Sequence, residues 1–275
     1  MRTLSISTEP VGAAGPAAVA GGAAAMRPRP TRISVEPSGT GARFALLDQG
    51  LYLAPRPVSG GSAPGQRHLR VALIGIHMML LGGDDVRIQL AVGPGVTLEV
   101  IEPAGMVAYD ADGRQSRWCL DAVLGEGSAL IWSGAPFVAA AGSNVLRETR
   151  VQLAAEAGFL LRETLVLGRS GEDAGPLRSV TRVSGDGTEY LFEDLDLHGM
   201  RHRAVGVLGS SKVLSSVTAA GWRPESAGAG VGGETGARRF DLAQPGAVVR
   251  ALSPTAHAAD GLIDLEYACW RAQLT

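Results

Sequence analysis

Apolar and polar residues alternate with a period of two along much of the chain, which is typical of half-buried β-strands. From residue 86 to residue 92, the even positions are Val, Ile, Leu and Val, whereas the odd positions are Arg, Gln and Ala. A second strand is expected at 96–101, and the pattern returns at 129–132 and 159–167. The alternation therefore predicts a mainly β protein.

Three segments of similar pattern follow one another at nearly equal spacing. They are residues 92–98, 124–130 and 153–160, with glycines at 95, 127 and 158 that lie 32 and 31 residues apart. A steady period near thirty residues is typical of stacked units that cannot bury their apolar faces alone. We expect each unit to be a hairpin feeding a longer return strand. The units would then form a β-solenoid-like, helical stack of antiparallel strand pairs.

The last segment, 255–274, changes character. Its apolar residues recur at helical spacing, and Ser253 or Thr255 can cap a helix, so we predict one C-terminal α-helix packed on the sheet. Residues 31–275 are predicted to form a single β domain. Residues 1–30 are rich in Ala, Gly and Pro and are predicted to be a disordered tail, with Met26 as an alternative start. A glycine-rich loop is expected at 227–236.

Composition narrows the class of protein. Of the 275 residues, 45% are apolar and 19% charged, which excludes a wholly disordered chain. A net charge of −2 favours neither nucleic acid nor an acidic membrane as a partner. No apolar run approaches the roughly 18 residues of a membrane helix. Two isolated cysteines fit a reducing compartment, so we expect a cytoplasmic protein.

Motifs for catalysis or tight ligand binding fail on inspection. His198 and His202 are four residues apart, but Gly199 follows a strand, so a solvated turn is favoured over a metal pair. Residues 206–212 resemble a phosphate-binding loop, yet they end in Ser-Ser-Lys where Gly-Lys-Ser/Thr is required. Neither a Gly-x-Ser-x-Gly elbow nor a His-Glu-x-x-His motif occurs. We predict no catalytic residue.

Three acids are more informative because they interrupt apolar strand segments. Asp84, Glu163 and Glu193 must face solvent, a partner cation or a water-filled cavity, since burying a lone carboxylate costs several kcal/mol. On composition alone, a solvated face is about twice as frequent as a functional site.

Several runs are similar to the urease accessory protein D family (UreD, also called UreH). They are residues 80–88, Leu-Leu-Gly-Gly-Asp-Asp-Val-Arg-Ile, together with 92–98, 127–132, and Pro103 followed six residues later by Tyr109. The most diagnostic run is 162–172, Arg-Glu-Thr-Leu-Val-Leu-Gly-Arg-Ser-Gly-Glu. The resemblance extends in order from about residue 31 to the C-terminus.

This resemblance implies a non-enzymatic scaffold for urease maturation. Such a protein binds apo-urease and UreF, and through UreF the GTPase UreG, so that nickel enters the urease active site. It also implies an internal nickel path, with Asp84, Glu163 and Glu193 at positions where the family carries acids. Scattered carboxylates bind a hydrated divalent ion weakly, as a conduit requires. No tightly bound cofactor is implied, only transient Ni²⁺.

A second hypothesis comes from another class of protein. A β-solenoid domain that binds or processes carbohydrate would use turn acids such as Asp110 and Asp112. Two carboxylates two residues apart perform acid–base chemistry when they face a groove. Gly113 beside them favours a plain solvated turn instead.

Overall fold

The computed structural model describes residues 28–59, 66–204, 206–227 and 236–275. The tail predicted at 1–30 lies almost wholly outside these residues, as does most of the glycine loop predicted at 227–236. Within them the chain is mainly β, and the first strand begins at Thr31. The assignment of 31–275 to one domain stays a prediction.

The elements follow one another in this order. The strands are β1 (Thr31–Ser38), β2 (Gly41–Asp48), β3 (Leu53–Pro57), β4 (His68–Gly75), β5 (Asp85–Val92), β6 (Thr97–Ile101), β7 (Met106–Ala108), β8 (Ser116–Leu124), β9 (Ala129–Ser133), β10 (Phe137–Ala139), β11 (Val145–Leu153), β12 (Gly158–Leu167), β13 (Leu177–Gly185), β14 (Thr188–Asp196), β15 (Val213–Ala220), β16 (Ala237–Asp241) and β17 (Gly246–Ser253). A 3-10 helix (Gly199–Arg203) precedes β15, and the helix α1 (Ala256–Ala272) closes the chain.

The strands form two sheets. Sheet A has seven strands in the order β14-β13-β11-β8-β5-β1-β2. Sheet B has ten, with the path β16-β17-β15-β12-β9-β6-β4-β3 and with β10 and β7 alongside it. Each repeat places one strand in each sheet: β5 and β6, then β8 and β9, then β11 and β12. Corresponding strands of successive repeats pair in parallel.

The solenoid-like stacking and the C-terminal helix are therefore confirmed, but the antiparallel hairpin within each repeat is not formed. The two strands of a repeat lie in different sheets. Because the two strands of a repeat face each other across the core, the apolar face of each strand is buried against the other. Two strands paired side by side in one sheet would not cover each other's faces in this way. Antiparallel pairs occur at the margins of the stack, as in β1–β2, β3–β4 and β13–β14.

The turn between the strands of a repeat needs one residue in the left-handed region. Gly95 (φ 62°) and Gly127 (φ 59°) fill this position in the first two repeats, but Glu156 (φ 58°) fills it in the third. The prediction that Gly158 is the third turn glycine was wrong. Gly158 begins β12 opposite Ala129, and a Cβ there would lie 2.9 Å from Leu274 Cδ2.

The sheets and the helix form three layers with two cores. The larger core lies between the sheets, and its centre includes Val86, Ile88 and Leu90 of sheet A with Leu98, Val100 and Trp132 of sheet B. The smaller core lies between sheet B and α1 and includes Leu160, Val217, Val249, Ile263 and Trp270. Thr255 occupies the N-cap position of α1, although its side chain makes no capping hydrogen bond. No helix in the described ranges is long and apolar enough to cross a membrane.

Candidate functional site

Strand β12 carries charged and polar groups on both of its faces. Leu161, Glu163 and Leu165 face the core between the sheets, where the two leucines belong to the larger core. Arg162 and Thr164 face α1 instead. Glu163 is 9% exposed, so the solvated face favoured by composition is wrong for this acid. Its carboxylate needs a partner inside the molecule.

Arg147 on β11 supplies that partner. Its guanidinium forms an ion pair with Glu163 across the gap between the sheets, and Arg147 is only 4% exposed. The guanidinium carbon also lies 4.4 Å from the Trp118 ring centroid and 5.5 Å from that of Phe137. The aromatic rings thus pack around a charge that the carboxylate neutralises.

A second acid, Glu102, follows β6 and extends the arrangement. Its Oε1 accepts a hydrogen bond from Trp132 Nε1 (3.0 Å), and its Oε2 accepts one from the Ala135 amide (3.1 Å). The residue as a whole is partly exposed, but its carboxylate is enclosed by protein. We call Glu102, Arg147 and Glu163 the interior cluster.

The interior cluster has unusual electrostatics because it is so little hydrated. Burial raises the pKa of Glu102, while the charge of Arg147 and the two N–H donors act in the opposite direction. Burial lowers the pKa of Arg147 to about 10, and the charge of Glu102 opposes this shift. Arg147 Nε has no hydrogen-bond partner among the described residues. The interior cluster thus places two carboxyl groups and one guanidinium inside the molecule.

A cleft of about 310 Å³ leads from the surface to Glu102. Its walls include His77, Met78, Met106 and Tyr109, and Met78 is 70% exposed at the mouth. Imidazole and thioether groups are neutral ligands of softer metal ions. The cleft thus brings imidazole and thioether groups into the same lining as the Glu102 carboxylate.

The other two predicted acids lie at different places. Asp84 closes the turn before β5, accepting hydrogen bonds from Tyr52 Oη (3.0 Å) and the Leu81 amide (2.8 Å). Burial, followed by this bond to Asp84, raises the pKa of Tyr52. Glu193 on β14 pairs with Arg250 on β17 and so links the margins of the two sheets.

The structure therefore does not gather Asp84, Glu163 and Glu193 into one metal site. Across the described part of the chain, no three His, Cys, Asp or Glu side chains are placed to hold a metal ion. Each acid has its own donor, and their role in a nickel path stays a prediction. Sequence reasoning missed Arg147, although its place among apolar residues in the alternating 145–153 segment signals an inward-facing charge.

The turn acids of the second hypothesis have a local role. Asp110 Oδ1 accepts a hydrogen bond from the Asp112 amide (3.0 Å), and Asp112 adopts φ 47° at the exposed turn. An added Cβ at Gly142 would collide with the Asp110 carboxylate, so this acid packs against the next turn. These contacts agree with a structural turn and give no support to acid–base catalysis.

A separate charged cluster joins α1 to sheet B. Glu99 on β6 accepts hydrogen bonds from Arg271 Nε (2.9 Å) and Nη2 (2.8 Å), and its Oε2 lies 3.1 Å from Arg70 Nε and 3.3 Å from His68 Nε2. Burial alone would raise the pKa of Glu99, but the bonds from His68 and Arg271 and the charges of Arg271 and Arg70 lower it to about 2. This cluster stabilises the docking of the helix.

Comparison with known proteins gives a consistent result. Residues 78–275 match the family model described as UreD urease accessory protein. The chain is 45% identical over 206 residues to urease accessory protein UreD 1 of Streptomyces griseus, covering 74% of this chain and 78% of that protein. It is 33% identical over 210 residues to urease accessory protein UreD of Streptomyces coelicolor, covering 71% and 79%. Over 159 residues it is 38% identical to urease accessory protein UreD of Frankia casuarinae, covering 52% and 49%.

Proposed function

Since the chain belongs to the UreD family of urease accessory proteins and takes part in urease maturation, we propose that it is the scaffold on which nickel is inserted. In this role it binds apo-urease and UreF, and through UreF it recruits the GTPase UreG. It performs no catalysis of its own. The observation that carries the proposal is the family match over residues 78–275.

The surface around the cleft supports a role in binding proteins. Ile74, Met78 and Tyr109 line the cleft and are 41%, 70% and 37% exposed. Leu51 and Leu81 are also exposed, at 43% and 39%. Exposed apolar side chains that cluster in this way mark protein contact surfaces. We assign the mouth of the cleft to a partner in the maturation complex.

The interior cluster supports a path for the metal as cargo. Carboxylate oxygens bind divalent cations, and Glu102 and Glu163 lie where bulk water is largely absent. Arg147 holds Glu163 in the free protein, so its guanidinium must give way when the cation passes. Asp84 and Glu193 are assigned to the same path as outlying acids.

Reconstitution of the complex tests the scaffold role. The tagged chain is co-expressed with urease subunits, UreF and UreG, and complexes are isolated with and without nickel and GTP. We expect UreF to raise the soluble yield of the chain, because it would cover exposed apolar surface. UreG should be captured only when UreF is present. An unchanged yield, with no complex on size exclusion, would contradict the proposal.

A further inference from the structure

A second cavity, of about 270 Å³, is built from residues that the proposed function does not use. Three parts of the chain form its walls: Leu167 at the end of β12, Asp173 and Ala174 in the loop that follows, and the segment leading into β15. That segment contributes His202, Arg203, Gly209, Ser210, Ser211 and Lys212. It includes most of the stretch whose sequence resembles a phosphate-binding loop.

Hydrogen-bond donors outnumber acceptors among the side chains of this cavity. The lining includes the cationic side chains of Lys212 and Arg203 and the hydroxyls of Ser210 and Ser211. Its one carboxylate, Asp173, already forms an ion pair with Arg203. Lys212 Nζ donates a hydrogen bond to the Glu172 carbonyl oxygen (2.7 Å). An ammonium group has three N–H donors, so this bond positions the charge and leaves two of them for a ligand.

His202 gives an independent indication of a ligand. The sequence predicted a solvated turn here, but His202 is only 7% exposed, and its Nδ1 is buried without a hydrogen-bond partner in the described ranges. Buried polar atoms are almost always paired, so an orphan in the wall of a cavity indicates a group that binds there. The Leu208 amide, in the turn at 206–210, donates a hydrogen bond to the His202 carbonyl oxygen (2.9 Å).

We propose that this cavity binds a small tetrahedral oxyanion of the phosphate class, held by Lys212, the hydroxyls of Ser210 and Ser211, and His202. Its volume is below the roughly 300–1,000 Å³ of sites for drug-sized ligands, so a single oxyanion fits better than a nucleotide. Lys212 leads into β15 and not into a helix, so the segment lacks the helix N-terminus of a nucleotide-binding loop.

The chain provides a direct probe of this site, because Lys212 is its only lysine. The full-length protein is acetylated with limiting acetic anhydride, and mass spectrometry follows the modification of Lys212 and of the α-amino group. Orthophosphate is titrated at constant ionic strength, with sodium chloride and sodium acetate as matched salts. Phosphate should slow the acetylation of Lys212, and the effect should saturate, because only protein without bound phosphate reacts. At a phosphate concentration ten times the dissociation constant, the rate should fall roughly tenfold. The α-amino group is the internal control.

Variants and a second ligand complete the test. Ser211→Ala and His202→Gln should raise the phosphate concentration needed for half-protection several-fold, whereas Ser38→Ala, an exposed serine on β1, should leave it unchanged. N-acetyl-O-phospho-L-serine has no free amine to consume the anhydride. Its protection of Lys212 at lower concentration than orthophosphate would assign the site to a phosphorylated side chain, and the reverse order to the free ion. Equal slowing by chloride, or equal slowing of the α-amino group, would overturn the proposal. Neither outcome bears on the binding of urease or UreF.

Discussion

Arg147 on β11 forms its ion pair with Glu163 on β12 across the space between the two sheets, although the strands are consecutive in the chain. Residues 154–157 carry the backbone from sheet A to sheet B, and the pair then joins the sheets through their side chains. The same contact places a positive charge over Trp118 and an acid inside the core. Glu163 therefore has two roles: it stabilises the fold through this ion pair, and it is one of the acids that we assign to the metal path.

Removing one partner of this pair should cost more than replacing both. Arg147→Ala leaves Glu163 buried and uncompensated, so we expect the free energy of unfolding to fall by about 3–5 kcal/mol. The double variant Arg147→Met with Glu163→Gln should lose less, because the charge of Glu163 is removed together with that of its partner. Urea unfolding followed by tryptophan fluorescence measures both. Equal losses in the single and double variants would show that the pair is not coupled.

The acids of the proposed path should affect metal delivery and not assembly. Glu102→Gln, Glu163→Gln, Asp84→Asn and Glu193→Gln each keep side-chain volume while removing a charge that binds cations. Urease matured with these variants should contain less nickel by elemental analysis. The complex with UreF should form as with the wild type for Glu102→Gln and Asp84→Asn, the two changes that leave the ion pairs of Arg147 and Arg250 intact. Tyr52→Phe removes the hydrogen bond to Asp84 but keeps its carboxylate, so it should mature urease normally. Full nickel content with all four acid variants would exclude the path.

The pKa of Glu99 predicts a dependence of stability on pH. Because this pKa is about 2 in the folded protein against an ordinary value of 4.5, the unfolded chain takes up the proton first as pH falls. The contribution of Glu99 is therefore complete above pH 4.5 and is lost between about 4.5 and about 2, amounting to roughly 3 kcal/mol at most. Glu99→Gln should flatten the unfolding free energy in this window, measured by urea titration at stepped pH. The exposed Glu126→Gln should not.

A substitution in the third turn of the stack should raise the stability of the fold. Glu156 adopts a left-handed conformation that glycine adopts without strain, so Glu156→Gly should raise the free energy of unfolding by up to about 1 kcal/mol. Gly127→Ala at the equivalent turn should lower it by a similar amount, since no neighbouring atom lies within 4 Å and only the backbone is strained. Urea unfolding of both variants checks the opposite signs. A loss of stability in Glu156→Gly would contradict the conclusion that Glu156 occupies the same turn position as Gly127.

The two cysteines should differ in reactivity. Burial raises the pKa of Cys119 to about 11, and the charge of Glu148 adds to the shift. Since the thiolate is the reactive form, iodoacetamide at pH 8 should modify the half-buried Cys269 well before Cys119. Peptide mass spectrometry over time measures both rates. In the urea-unfolded protein, Cys119 and Cys269 should be modified at similar rates. If Cys269 still reacted faster in urea, the difference between the two cysteines would not come from burial in the fold.

Alternation along the sequence predicts much of the fold because it identifies inward-facing residues. Val86, Ile88, Leu90 and Val92 are all buried, as their spacing indicates. The pairing partners could not be predicted in this way, since the alternation gives the face of a strand but not its neighbour. The role of Gly158 likewise depends on Leu274, more than a hundred residues away in the chain.

The candidate site was predictable only in part, for a similar reason. An acid among leucines signals that Glu163 needs a partner cation or water, and the partner is Arg147. The identity of the partner arginine depends on how residues 154–157 cross from sheet A to sheet B, which the sequence pattern does not reveal. The enclosure of Glu102 depends on Trp132 and on the Ala135 amide, which approach from the neighbouring repeat. Only the assembled stack brings these groups together.

The two faces of β12 connect the helix α1 with the interior of the molecule. Arg162 and Thr164 hold Asp264 (2.6 Å) and Asp260 (2.5 Å) of α1, and Glu163 lies between them in sequence with its side chain pointing the other way. The residues of β12 that contact α1 and the residue that carries the buried acid are therefore immediate neighbours in one peptide segment.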